Sequence, residues 1–116
     1  MSSAEIAAAR ERLAAVAGRI ERATEDAGRE PGSVRLLVAS KTQPAERVRA
    51  LLEAARSLEL PVLLGENRVQ ELLEKGPALE DLAPEWHLIG PLQYNKVNHA
   101  LRWAAAIESV SSLELA

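Results

Sequence analysis

The sequence predicts an α/β protein: a long N-terminal helix followed by four strand–helix units that share a parallel sheet. Three observations carry this. Apolar residues recur every three or four positions from Ile6 to Ala27, the spacing of one helix face. Four short apolar runs follow, at Val34–Ser40, Val62–Leu64, Trp86–Gly90 and Ala104–Val110, at a spacing of roughly 20 to 25 residues. Each run ends in polar residues, and after each of them a helical pattern begins.

The first helix starts with Ser2 and Glu5, which have capping-box spacing. Its apolar stripe is Ile6, Ala9, Leu13, Val16, Ile20, Ala23 and Ala27. The other face carries Arg10, Glu11, Arg12, Arg19, Glu21, Arg22 and Glu25 and reads as a solvated surface. Gly28 and the Pro31-Gly32 pair end the helix. The run Val34–Ser40 is nearly unbroken by polar residues, which predicts a strand buried on both faces. Pro44 suits the first turn of a helix reaching about Leu58, with Val48, Leu51, Leu52 and Ala55 inward.

Pro61 restarts the chain into the second strand, which ends at Gly65. Glu66-Asn67-Arg68-Val69-Gln70-Glu71 then opens a helix that Gly76 and Pro77 are expected to break. Ala78–Leu82 reads as a short turn, and Pro84 leads into the third strand. After the loop Pro91–Lys96 comes a helix from about Asn95 to Arg102. The fourth strand follows, and Ser111-Ser112 reads as the cap of a further helix.

Length and composition narrow the class. The 116 residues suit one domain, with residues 1–32 forming the helix and 33–116 the βα units. A hydrophobic content of 47% is enough for a core. The net charge of -3 comes from interspersed charges, so no basic face invites nucleic acid. The absence of cysteine removes disulfides and thiolate metal sites, and no metal site is expected. No apolar run has the length of a membrane span, and no signal segment opens the chain, so a cytoplasmic protein is expected. A glycine-rich phosphate fingerprint is missing after the first strand, which disfavours a dinucleotide-binding fold. Four βα units are half of a (β/α)8 TIM-type barrel.

In a parallel sheet the carboxyl ends of the strands share one rim, where ligands bind. The rim would collect Ser40, Lys41 and Thr42 from the first unit and Glu66 and Asn67 from the second. The third contributes His87, Gln93, Asn95 and Lys96, and the fourth Glu108, Ser109, Ser111 and Ser112. Lys41 can serve there as a phosphate anchor, an ion-pair partner or an amine for Schiff-base chemistry. Asn67 can equally cap the helix that follows it. His87, in an apolar strand, fits a hydrogen-bonded core histidine as well as a ligand contact. No Ser/His/Asp arrangement is legible.

Four motifs carry a resemblance: LLVASKTQP at Leu36–Pro44, GENRVQE at Gly65–Glu71, WHLIGPLQYNK at Trp86–Lys96 and IESVSSLELA at Ile107–Ala116. In these motifs, their order and their spacing, the chain resembles the N-terminal half of the pyridoxal phosphate homeostasis proteins, relatives of the alanine racemase barrel. The resemblance implies a (β/α)8 barrel preceded by a helix. It implies a non-catalytic protein of vitamin B6 homeostasis that holds pyridoxal 5′-phosphate as a Schiff base on Lys41. Asn67, His87 and Ser109 are the other cofactor-binding residues that it implies, and no catalytic residue is assigned. An amine must be neutral to attack an aldehyde, and desolvation at a strand end would favour that form.

Two departures stand out. Glu108 takes the place where the family commonly has histidine, and Ser111 the place of an aspartate. Family members are also longer, and in such barrels the phosphate site is built by loops after the seventh and eighth strands. Cofactor binding by this chain is therefore expected to be weak or absent. Half a barrel would leave sheet edges and apolar surface open, which predicts a homodimer. The alternatives are a racemase-like enzyme that uses pyridoxal phosphate and a truncated fragment that binds nothing. The lone tyrosine, Tyr94, is not expected to supply the acid/base that a racemase needs.

Overall fold

A computed structural model describes residues 2–116. Its elements run α1 (Ser3–Asp26), β1 (Leu36–Ala39), α2 (Ala45–Ser57), β2 (Val62–Glu66), α3 (Val69–Ala78), β3 (Glu85–Leu88), α4 (Val97–Leu101) and β4 (Ala104–Ile107). Single 3-10 turns stand at Glu80–Leu82 and Tyr94–Lys96. The chain falls into two compact units. One is the stretch up to Leu36 together with Glu46–Val62, and the other is Leu37–Ala45 with Leu63–Ala116.

The first unit holds α1 and α2. Ser2 caps α1 as its sequence predicts: its hydroxyl accepts from the Glu5 amide, and the Glu5 side chain reaches back. Leu13 and Thr24 are the buried residues of α1, and the Thr24 hydroxyl donates to the Ile20 carbonyl at 2.6 Å. Gly28, at φ 69°, ends the helix, and the Arg29 amide bonds back to the Thr24 carbonyl at 3.0 Å. This is a Schellman motif, which needs a left-handed residue and normally takes glycine. Helix α2 ends the same way, with Leu60 N–H on the Ala55 carbonyl at 2.9 Å, but its left-handed residue is Glu59 at φ 53°. The buried face of α2 is Val48, Ala50, Leu52, Ala54 and Ala55, with Leu51 half-buried. Arg10 Nε donates to Ser57 Oγ at 2.9 Å and ties α1 to the end of α2.

The second unit carries most of the sheet. The strand order is β1-β2-β3-β4, the order of the chain itself. Strand β2 pairs parallel with β3, and β3 with β4. Sequential order with parallel pairing means that each crossover advances the sheet in one direction, as in a partial TIM-type fold. Leu64, Trp86 and Leu88 are buried. Leu88, Leu92 and Ala100 form a core against Val69, Val97, Ile107 and Leu115.

The structure corrects several expectations. Strand β1 is not buried on both faces: Leu36, Leu37 and Val38 are half-buried and Ala39 is exposed. The strand ends the sheet order and has a neighbour on one side only. It also lacks Val34, Arg35 and Ser40. Gly76 and Pro77 do not break α3 but lie inside its last turn. Gly76 is needed there because a Cβ would stand 2.8 Å from Trp103 Cε3. Strand β2 runs one residue past Gly65, and β4 stops at Ile107, short of Val110. The predicted helix at Asn95–Arg102 divides into a 3-10 turn and the short α4. At the end of the chain the Ser112 hydroxyl accepts from the Leu115 amide at 3.1 Å, a capping contact without a regular helix.

Candidate functional site

The carboxyl ends of the strands are laced together beyond their formal limits. Ser40 N–H donates to the Gly65 carbonyl at 2.9 Å, and Ile89 N–H to the Glu66 carbonyl at 2.9 Å. Glu108 N–H donates to the Leu88 carbonyl at 3.0 Å. Lys41, Asn67, Gly90 and Ser109 each stand one residue past these bonds. Three of the four sequence-predicted site residues therefore occupy one rim, and His87 lies deeper in β3.

Lys41 sits in the turn after β1 and is exposed. Among the described residues no hydrogen bond or ion pair engages its ammonium group. The desolvation expected for it is absent, because β1 is an edge strand. The buried lysine of this rim is Lys75, on α3. Its Nζ lies 2.9 Å from Glu66 Oε1 and 3.1 Å from Oε2, and it donates to the Ser40 carbonyl at 2.9 Å. Glu71 Oε1 is 3.5 Å from the same nitrogen. The Ser40 hydroxyl donates to Glu66 Oε2 and stands 3.2 Å from the Gly65 carbonyl. Glu66 is fully buried, and Ser40 nearly so.

Sequence reasoning placed no role on Lys75 and treated Glu66 as a rim residue. A signal was present. Leu72, Lys75, Gly76 and Leu79 follow the spacing of one helix face, and all four are buried. A lysine on an apolar face needs a carboxylate partner.

Asn67 is half-buried just beyond β2. Its carbonyl and its Oδ1 pack on Gly90, where a Cβ would collide with both. It does not cap α3, whose N-cap residue is Arg68 without a side-chain bond. Ser109 follows β4, and its hydroxyl is buried without a hydrogen-bond partner among the described residues. An unpartnered buried hydroxyl is costly.

His87 is 7% exposed and stands opposite Gly65 and Ala106, next to a register shift between Trp86 and His87. Its Nδ1 is 2.9 Å from Glu108 Oε1 and its Nε2 2.8 Å from Glu85 Oε2. Burial pulls the imidazole downward, but the bonds to the two carboxylates outweigh it, and the net shift is upward from 6.5. With both ring nitrogens engaged, His87 has no position left for a ligand. Tyr94 is 66% exposed.

Among the described residues no group of histidine, cysteine and carboxylate side chains is arranged to hold a metal. No described helix is long and apolar enough to cross a membrane. A groove of about 650 Å³ in the first unit is lined by Ile20, Thr24, Val34, Leu36 and Pro61, and none of the predicted site residues borders it.

The rim thus holds an unengaged amine, an amide and an unpartnered hydroxyl. Comparisons with known proteins bear on this. No family model matches the chain. The pyridoxal phosphate homeostasis protein of Aquifex aeolicus is 44% identical over 106 residues, covering 91% of this chain and 44% of that protein. The protein of the same name from Pseudomonas aeruginosa is 42% identical over 106 residues, with the same coverage of 91% and 44%. The chain thus spans a little under half the length of these relatives. A crystal structure of an unknown protein from Bifidobacterium adolescentis superposes with a TM-score of 0.83 at 32% identity, over 99% of this chain and 49% of that one. The structure of PipY of Synechococcus elongatus PCC7942, with PLP bound, superposes with a TM-score of 0.71 at 36% identity, over 92% and 44%.

Proposed function

The chain belongs to the family of pyridoxal phosphate homeostasis proteins, and on that premise we propose that it binds pyridoxal 5′-phosphate through a Schiff base on Lys41. It acts in cofactor balance in the cytoplasm and is not an enzyme. The observation that carries the reading is the unengaged Lys41 amine at the carboxyl end of β1. The PLP-bound neighbour and the names of the relatives support the choice of ligand.

Bound pyridoxal phosphate supplies an aldehyde, which a neutral amine attacks with loss of water. Lys41 supplies that amine, and its exposure leaves it open to the aldehyde. Asn67 offers an uncharged hydrogen-bonding group beside it, held in place by its packing on Gly90. Ser109 Oγ offers a hydroxyl whose bonding capacity is unused. His87 bonds both Glu85 and Glu108, and as an imidazolium it offsets one of their two negative charges.

Among the described residues the sheet ends in β1 and β4, two edges without a further strand. Exposed edges invite pairing. We read the chain as pairing with a second copy through them to complete a barrel of eight strands.

The test is titration of the chain with pyridoxal 5′-phosphate, borohydride reduction and mass mapping of the modified lysines. Labelling confined to Lys41 is the expected result. Equal labelling of Lys41, Lys75 and Lys96 would overturn the reading.

A further inference from the structure

We propose that Glu71 and Lys75 of α3 are positioning residues that clamp the two peptide units flanking Lys41 and so aim its amine. The inference rests on the reading of Lys41 as the anchoring lysine and adds the residues that hold it.

Lys41 has one peptide unit on each side, and α3 grips both. The carbonyl of Ser40, in the preceding unit, accepts from Lys75 Nζ at 2.9 Å. The N–H of Thr42, in the following unit, donates to Glu71 Oε1 at 3.0 Å. Lys75 and Glu71 are one helical turn apart and 3.5 Å from each other, so the two grips form one charged network. Glu66 Oε1 anchors the network from β2, 2.9 Å from Lys75. With these bonds the backbone on both sides of the Lys41 Cα is fixed to a helix, while the side chain stays exposed.

The turn itself calls for such a clamp. Thr42 has φ 66°, a left-handed conformation that is an outlier for a β-branched residue. Backbone of this kind persists where surrounding bonds over-determine it. Gln43 N–H closes the turn on the Ser40 carbonyl at 3.2 Å, and the Glu71 carboxylate takes the Thr42 amide. A buried ion pair such as Lys75–Glu66 is a poor device for stability alone, since its desolvation offsets its attraction. Directing the Lys75 ammonium onto a backbone carbonyl next to Lys41 gives it a specific use.

Glu71 is the residue to substitute. It is partly exposed, so its loss leaves the buried pair intact. The experiment compares the unaltered chain, Glu71→Ala, Glu71→Gln and Thr42→Gly in two readouts. One is the rate of Lys41 labelling by pyridoxal 5′-phosphate and borohydride, mapped by mass. The other is hydrogen exchange of the Thr42 amide without cofactor. Glu71→Ala should slow Lys41 labelling about tenfold, by misplacement of the amine, and speed Thr42 exchange. Glu71→Gln, whose amide oxygen still accepts from Thr42, should restore both. Thr42→Gly, which removes the strain but adds freedom, should slow labelling while leaving the fold intact. Equal labelling rates in Glu71→Ala and the unaltered chain, or unchanged Thr42 exchange, would overturn the positioning role alone. No labelling of Lys41 in the unaltered chain would overturn the anchoring reading itself, and the positioning role with it.

Discussion

Lys75 Nζ lies 2.9 Å from Glu66 Oε1 with both side chains buried, and no other ion pair described here is so fully withdrawn from water. Removing one partner strands the other charge, which typically costs about 3–5 kcal/mol. Lys75→Met should therefore lower the urea midpoint steeply. The double variant Glu66→Leu/Lys75→Met should recover most of the loss, because neither charge is then left behind. A single variant as stable as the unaltered chain would mean that the pair contributes nothing.

His87 predicts a pH dependence with a defined sign. Its folded-state value lies above 6.5, because two carboxylate bonds outweigh burial. A raised value means that the imidazolium stabilises the fold fully below 6.5 and that this contribution is lost as the pH rises through the higher folded-state value. Urea midpoints measured across this window should fall with rising pH. His87→Gln should flatten that step, and a step that survives the substitution belongs to another group.

Gly90 has no room for a side chain. A Cβ would meet both the backbone oxygen and Oδ1 of Asn67. The obstacle is partly backbone, so it cannot simply rotate away. Gly90→Ala should destabilise by about 1–3 kcal/mol, the cost of overpacking. It should also weaken labelling at Lys41 by displacing Asn67. Unfolding and labelling measured on the same preparation check both effects.

Glu59 holds the left-handed position at the end of α2, at φ 53°. A non-glycine residue there costs on the order of 1 kcal/mol. Glu59→Gly should raise the thermal midpoint, with the Leu60 bond to Ala55 retained. A lowered midpoint would show that the gain in unfolded-state freedom outweighs the relief.

The elements with strong local periodicity were legible from residues alone. Helix α1 with its Ser2–Glu5 capping box, the Gly28 stop and the alternation of strands with helices all depend on neighbours within a turn or two. Family motifs extended that reading to Lys41, Asn67 and Ser109 at the strand ends. Boundaries proved less legible, because Gly76 and Pro77 stay helical where the Trp103 indole fills the space beside them.

The sequence by itself determined the α/β alternation, the polar rim and the lysine at its first strand end. Only the tertiary structure decided which lysine is buried and which stays exposed. Strand β1 falls at the sheet edge, so Lys41 is left in water, while α3 carries Lys75 between Glu66 and the Ser40 carbonyl. It also decided that Glu108, 21 residues beyond His87, occupies one of its ring nitrogens. The Ser40 carbonyl, 35 residues from Lys75, and Glu108 lie outside any local window of the chain, so this part of the burial and pairing emerges when the sheet assembles.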